Sequence, residues 1–125
     1  QGSKVYDFNI NIKDNVVQTA SLFDQLDEQK PKHFSFKEKA DLAYSFVFSI
    51  INALTKIAIK HASTRDIRKI GITGGISYNI PIVNMVEEIT ENHDIDLLIH
   101  HRIPNGDGGI AIGQNIIAAQ QLEKQ

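Results

Sequence analysis

The stretch "IRKIGITGGISYN" (Ile67–Asn79) decides the class of fold. Ile67–Thr73 reads as a short strand, and Gly74-Gly75 ends it at once. "NIPIVNMVEEITENH" follows as a helix. Pro81 is tolerated in the first turn, where its missing N–H would be unpaired anyway. Ile82, Val83, Val86 and Ile89 then share one face. "IDLLIHH" is a second strand, a glycine-rich loop follows, and Ile110–Leu122 is the last helix. Strand, helix, strand, helix with connections this short predicts a parallel pair with a right-handed crossover.

Working outward, the first half has a different rhythm. In "KVYDFNINI" (Lys4–Ile12), Tyr6, Phe8, Ile10 and Ile12 fall on one face and Asp7, Asn9 and Asn11 on the other, the period of a half-buried strand. "KDN" (Lys13–Asn15) has turn chemistry, and Val16-Val17 suits a short second strand. Thr19 or Ser21 is placed to cap a short helix in which Leu22, Phe23 and Leu26 share a face. A polar loop broken by Pro31 precedes the longest helix. Ser35 and Glu38 have capping-box spacing at its start. Leu42, Phe46, Ile50, Leu54 and Ile57 follow at steps of four and three, and Ala43, Val47, Ile51 and Ala58 widen the stripe. A stripe that wide predicts a helix covered on most sides and a layered α/β core. The helix is expected to end near His61-Ala62.

The chain of 125 residues is the size of one modest domain, and 42% hydrophobic residues suffice for a core. With 13 basic and 15 acidic side chains the net charge is −2, which argues against a broad electrostatic footprint for nucleic acid. The absence of cysteine excludes a disulfide framework, a thiolate metal site and a cysteine nucleophile, and suits a cytoplasmic location. No apolar run is read as approaching the roughly 20 residues of a membrane helix. Gln1-Gly2-Ser3 resembles a tag remnant, leaving residues 4–125 as a single α/β lobe.

Two glycine turns carry the functional candidates, both at the carboxyl end of a strand, the edge at which open α/β sheets bind ligands. In "ITGGISYN" (Ile72–Asn79), Gly74 and Gly75 would let a ligand approach the backbone, and Asn79 offers a donor and an acceptor. The structural alternative is a plain turn with Asn79 as helix cap. In "PNGDGG" (Pro104–Gly109), Asp107 stands at the start of the last helix, either as its N-cap or as a ligand holder. Gly106, Gly108 and Gly109 suggest that something comes close to the main chain there. One carboxylate cannot complete a metal site by itself. His100 and His101 are adjacent, so on a strand they face opposite ways, and His33, His61 and His93 stand alone as surface or packing residues. Ser77 and Tyr78 are possible hydroxyl contacts with no neighbouring base, Asn52 reads as a satisfied core polar group, and no catalytic residue is assigned.

Together, "IGITGGISYN" and "HRIPNGDGGIAIGQNIIAA" resemble the C-terminal end of the HypF-type hydrogenase maturation carbamoyltransferases. Thr73-Gly74-Gly75-Ile76 with Asn79 is similar to that family's S-G-G-V-x-x-N, with Thr for Ser. His101, Arg102, Pro104, Asp107, Gly108, Gly109, Gly113 and Gln114 fit its H-R-x-x-P-x-x-D-G-G-x-x-x-G-Q, with one residue fewer between Arg102 and Pro104. The long central helix is similar too, although Val47 follows Phe46 where the family often has a Phe-His pair.

The resemblance implies half of an actin-like (ribonuclease H-like) domain: a small mixed sheet flanked by helices. It implies transfer of a carbamoyl group from carbamoyl-adenylate to the C-terminal cysteine of a partner protein, in synthesis of the cyanide ligand of nickel–iron hydrogenase. Gly74, Gly75 and Asn79 would line the ATP or carbamoyl-adenylate site, and Asp107 would help to hold a divalent metal (iron, zinc or magnesium). The family's zinc-finger cysteines, its two-histidine metal motif and its other phosphate-binding turn are not in this sequence. The expected partners are therefore the other lobe and domains of the same protein, with the acceptor protein, and a homodimer through the exposed lobe face is a further expectation. No membrane or nucleic acid partner is expected, and this chain alone is expected to be inactive. The alternatives are a related carbamoyltransferase with a small-molecule or tRNA acceptor, and a non-catalytic nucleotide-binding or interaction module.

Overall fold

The computed structural model describes residues 2–29, 33 and 35–123, and Pro31 of the predicted polar loop lies outside them. The architecture is mixed α/β, organised around one long helix. In chain order it runs β1 (Asn11–Lys13), β2 (Val16–Gln18), α1 (Ala20–Gln29), α2 (Phe36–Ser63), β3 (Lys69–Gly71), α3 (Ile80–Glu91), β4 (Asp96–Leu98) and α4 (Gly108–Leu122), with a 3-10 turn at Gly75–Tyr78. The expected single mixed sheet is instead two separate pairs: β1 and β2 antiparallel, β3 and β4 parallel. The parallel pair joined through α3 is as the second half of the sequence predicts, with Ile70 opposite Leu97.

α2 begins where the sequence places it. Ser35 Oγ accepts from the Glu38 N–H, and the Glu38 carboxylate accepts from the Ser35 N–H in return. The Ser35 hydroxyl, donating to Glu38 Oε2 at 2.6 Å, and then the Ser35 N–H hold the Glu38 carboxyl below its ordinary value. One side of α2 packs Ile51, Ile59 and Ala62 against Met85, Val86 and Ile89 of α3 and against Ile95. Another packs Leu42, with Phe46 and Ile50, against Phe8 and Leu22. The Phe8 and Phe46 rings meet edge to face with centroids 5.5 Å apart, a favoured aromatic geometry. By length and composition alone α2 could cross a membrane, which corrects the reading that no run approaches that length. Ser45, Ser49, Asn52 and Thr55 interrupt its apolar sequence without making the segment strongly polar. Leu54 of the expected stripe is exposed, and small polar residues are buried in its stead: Asp41, Ser45, Ser49 and Thr55.

The N-terminal segment explains this substitution at Asp41 and Ser45, while Ser49 donates to the Ser45 carbonyl of its own helix. The alternation expected over Lys4–Ile12 is kept as far as Ile10: Phe8 is buried, Tyr6 and Ile10 are half-buried and their odd-numbered neighbours are exposed, but Ile12 of the expected face is exposed as well. Only Asn11 and Ile12 of that stretch enter a ladder, however. Upstream, side chains take the place of a partner strand, because extended backbone polar groups must be satisfied somewhere. The Val5 and Tyr6 N–H groups donate to Ser45 Oγ at 3.0 and 3.1 Å. Gln25 brackets Asn9, accepting from its N–H and donating to its carbonyl, and Gln29 donates to the Asp7 carbonyl. Gly2 and Ser3, set aside as a tag remnant in the sequence reading, lie against α2. A Cβ on Gly2 would stand 2.1 Å from the Ala40 carbonyl oxygen, and the Ser3 N–H and hydroxyl both donate to Asp41 Oδ1.

Local conformations follow turn chemistry. Asp14 and Asn15 both have positive φ, as a two-residue type I′ hairpin turn demands. Asp66 and Asp94 share the left-handed conformation just past α2 and α3. In each case the next residue, Ile67 or Ile95, donates back to the helix end, at Ala62 and Thr90. The α1 face is narrower than expected: Leu22 is fully buried, but Phe23 is exposed.

Lys37, then the Ser3 N–H and hydroxyl, hold the Asp41 carboxyl below its ordinary value of 3.8. A lowered carboxylate favours the folded state above that value and loses its contribution as pH falls through the folded one. Thermal melts followed by circular dichroism are therefore expected to show Asp41→Asn less stable than wild type at pH 7. The gap should close as the pH is taken below 3.8.

Candidate functional site

The site is built from two loops that leave the parallel strand pair on the same edge. β3 continues as far as Ile72, whose N–H donates to the Leu98 carbonyl at 3.1 Å. Thr73 follows, with His100 Nε2 3.1 Å from its hydroxyl. Gly74 then turns the chain at φ +84° and ψ 179°, a conformation open to glycine and costly for any other residue. Its carbonyl accepts from the Ser77 N–H and hydroxyl, closing the 3-10 turn. Asn79 caps α3, its Oδ1 accepting from the Ile82 N–H at 3.4 Å. That is the structural reading offered for it from sequence, and it leaves the amide Nδ2 facing out.

The second loop is tied to the first. The Gly74 N–H donates to the Asn105 carbonyl at 2.9 Å. Tyr78 Oη accepts from the N–H groups of Asn105 and Gly106 at 3.1 and 3.3 Å. Tyr78 is thus a staple between the loops, where the sequence suggested a ligand contact. Asn105 was not singled out at all. Its signal was its place inside "PNGDGG", but a backbone carbonyl used across 31 residues of sequence leaves no composition cue.

The glycines divide into two groups. A Cβ on Gly74 or Gly75 would meet nothing within 4 Å, so the first turn fronts open space. A Cβ on Gly109 would stand 2.6 Å from the Pro104 carbonyl oxygen, and one on Gly108 would press on the Pro104 ring at 3.3 Å. What approaches the main chain of the second loop is therefore its own Pro104. The expectation that a ligand requires these glycines is corrected to that extent.

Asp107 occupies the N-cap position of α4 with helical φ and ψ, and its side chain makes no cap bond. The cap reading of Asp107 is overturned: helical backbone angles swing the carboxylate away from the N–H groups that an extended cap residue would reach. Asp107 lies exposed at a helix N-terminus. Among the described residues no three His, Asp or Glu side chains gather to hold a metal. His100 and His101 are exposed and lie past the end of β4, His93 Nδ1 bonds the Ile89 carbonyl, and His61 faces Arg65. A shallow groove lined by Ser77, Tyr78, His101, Arg102 and Asn105 runs along the joined loops.

The parallel strand pair thus ends in two mutually bonded glycine loops, with the Asp107 carboxylate at the start of the following helix. The chain belongs to the carbamoyltransferase family of Kae1-like domains, as its second subdomain, and that family's sequence profile matches residues 1–114. It is 34% identical over 112 residues to the "Probable carbamoyltransferase HypF" of Methanocaldococcus jannaschii, a match covering 88% of this chain and 14% of that protein. The fold is similar to the crystal structure of T. kodakarensis HypF, with a TM-score of 0.78 and 22% identity over 99% of this chain and 16% of that one. The chain therefore spans about a seventh of the length of the curated relative it matches.

Two outcomes test the loop assignments. Tyr78→Phe should speed hydrogen exchange at the Asn105 and Gly106 amides while costing only about 1 kcal/mol, since it removes one exposed acceptor. Gly109→Ala should lower stability by roughly 1–3 kcal/mol in denaturant melts, because a backbone carbonyl blocks the new methyl. Gly75→Ala, with open space before it, should cost well under that.

Proposed function

We propose that this chain is the nucleotide-facing wall of a carbamoyltransferase of the HypF type. The observation that carries the reading is the bond from Gly74 to Asn105, which fixes the open Gly74-Gly75 turn beside the free Asp107 carboxylate loop. In this reading the lobe is one half of an actin-like domain. Gly74 and Gly75 admit the phosphates of ATP or carbamoyl-adenylate to the main chain, and the Asn79 amide donates to the nucleotide. Asp107 gives one ligand to a divalent metal whose other ligands come from the facing lobe. Such a metal supplies Lewis-acid and orienting chemistry.

The proposed reaction moves the carbamoyl group of carbamoyl-adenylate to a C-terminal cysteine of a partner protein in hydrogenase maturation. The cysteine, as its thiolate after losing its proton to solvent, forms the bond from sulfur to the carbamoyl carbon, the bond from that carbon to the phosphate oxygen breaks, and AMP leaves with the electron pair. This chain's part is to bind and orient, and no proton-transfer role is assigned to its residues. A cleft with one wall neither excludes water nor aligns two reactants, and alignment is the source of much of the rate. The 125 residues alone are accordingly proposed to be inactive, and the cytoplasm to be their compartment, in keeping with the absence of cysteine.

Titrating the chain with ATP while recording amide resonances should move Gly74 and Gly75, and shifts that spare both would refute the site. Asp107→Ala should change the stability of this chain by less than about 0.5 kcal/mol, its carboxylate having no partner to lose. The same substitution in a two-lobed protein should abolish metal binding, measured by inductively coupled plasma analysis, and carbamoyl transfer with it.

A further inference from the structure

A cavity of about 220 Å³ lies between the N-terminal segment and α2, on residues that the two glycine loops do not use. It originates in one line of α2. Asp41, Ser45, Ser49 and Ala53 follow one another at steps of four, and all are buried. Asp41 and Ser45 bond Ser3, Val5 and Tyr6 and so draw the segment onto the helix. Ser49 instead donates to the Ser45 carbonyl, and Ala53 has no polar group. Past Tyr6 the segment bonds to Gln25 and Gln29 of α1. The small side chains of α2 beneath it leave a hollow with Phe8 and Phe48 among its walls.

Two polar side chains of α2 line this cavity. Asn52 and Lys56 are one helical turn apart and so are neighbours on the helix surface. The reading of Asn52 as a satisfied core polar group is corrected. Asn52 is half-buried and Lys56 exposed, and among the described residues neither has a hydrogen-bond or ion-pair partner. At the same cavity, Lys4 Nζ stands 3.3 Å from Asp7 Oδ1 and 5.3 Å from the centre of the Phe48 ring. Lys4 and Lys56 against Asp7 leave a single positive charge, which a monoanion matches and a phosphate dianion does not. Water takes about 30 Å³ in the liquid, so the cavity has room for about seven waters, or for a ligand of about ten heavy atoms.

We infer that this cavity is a second binding site, for a small monocarboxylate with an apolar body. One carboxylate oxygen accepts from the Lys56 ammonium and the other from the Asn52 amide, while the hydrocarbon part lies against Phe8 and Phe48. Lys4, held by Asp7 and the Phe48 ring, borders the site. The inference does not rest on the transfer chemistry. Because one wall is the N-terminal segment and the other is α2, the ligand ties the two together below the bonds to Ser45.

The test titrates the 125-residue chain with sodium benzoate at constant ionic strength while recording amide resonances. Shifts should saturate with a Kd of about 1 mM, within reach of a ligand of about nine heavy atoms. They should centre on Phe8, Lys56 and the Asn52 side-chain amide and spare Gly74 and Gly75. Lys56→Met should weaken binding about tenfold and Asn52→Leu about threefold, through loss of a charge-assisted and a neutral hydrogen bond. Neither substitution should lower the melting temperature, since neither side chain has a bond to lose among the described residues. Benzamide, of the same shape but neutral, should bind about tenfold more weakly than benzoate. Benzoate shifts that miss the cavity, binding unchanged by Lys56→Met, or benzamide bound as tightly as benzoate would each overturn the site. Inorganic phosphate moving the same resonances with equal affinity would overturn it too, as a general attraction of anions to lysine. Each of these failures leaves the nucleotide reading of Gly74 and Gly75 standing.

Discussion

The structure depends on α2 being used from several sides at once. A helix with one apolar stripe can support one layer, but α2 supports a βα unit on one side and the Phe8–Leu22 cluster on another. Between these it presents Asp41 and Ser45 to an extended segment that has no partner strand, and Ser49 donates to the Ser45 carbonyl within the helix. Burying those polar groups is tolerable only because each is bonded: Ser45 Oγ accepts two backbone N–H groups and donates to the Asp41 carbonyl. The small side chains also let the segment approach closely enough to be bonded. Packing and hydrogen bonding are thus one constraint here, which α1 completes through Gln25, Gln29 and Leu22.

The same economy appears at the loop edge. The two glycine loops brace one another through Gly74, Asn105 and Tyr78 before any ligand arrives. A turn at φ +84° with nothing in front of it, held by a neighbouring loop, is a preorganised surface. The second loop reaches its shape by folding Pro104 over Gly108 and Gly109, and Asp107 beside them is exposed and makes no cap bond. Half of the glycine motif therefore serves the loop's own shape and half leaves space for a ligand. The two halves look alike in sequence.

What the sequence determined by itself is what local chemistry controls. Ser35 and Glu38 set the start of α2, Asn79 and Pro81 set the start of α3, and Asp14-Asn15 set the hairpin turn, each through groups a few residues apart. The βαβ order in the second half was legible from periodicity, and the motifs carried the family. Tertiary structure alone decided the rest. It decided that Lys4–Ile10 is strung on side chains instead of a sheet, that Leu54 faces water while Ser45 does not, and that Tyr78 joins two loops. It also decided that Gly109 yields to Pro104 and that Asp107 does not cap its helix. Each of these turns on groups brought together across a long stretch of chain, or on backbone angles that a neighbour imposes. Periodicity reports which face of an element is apolar, and it carries no information about what that face will meet.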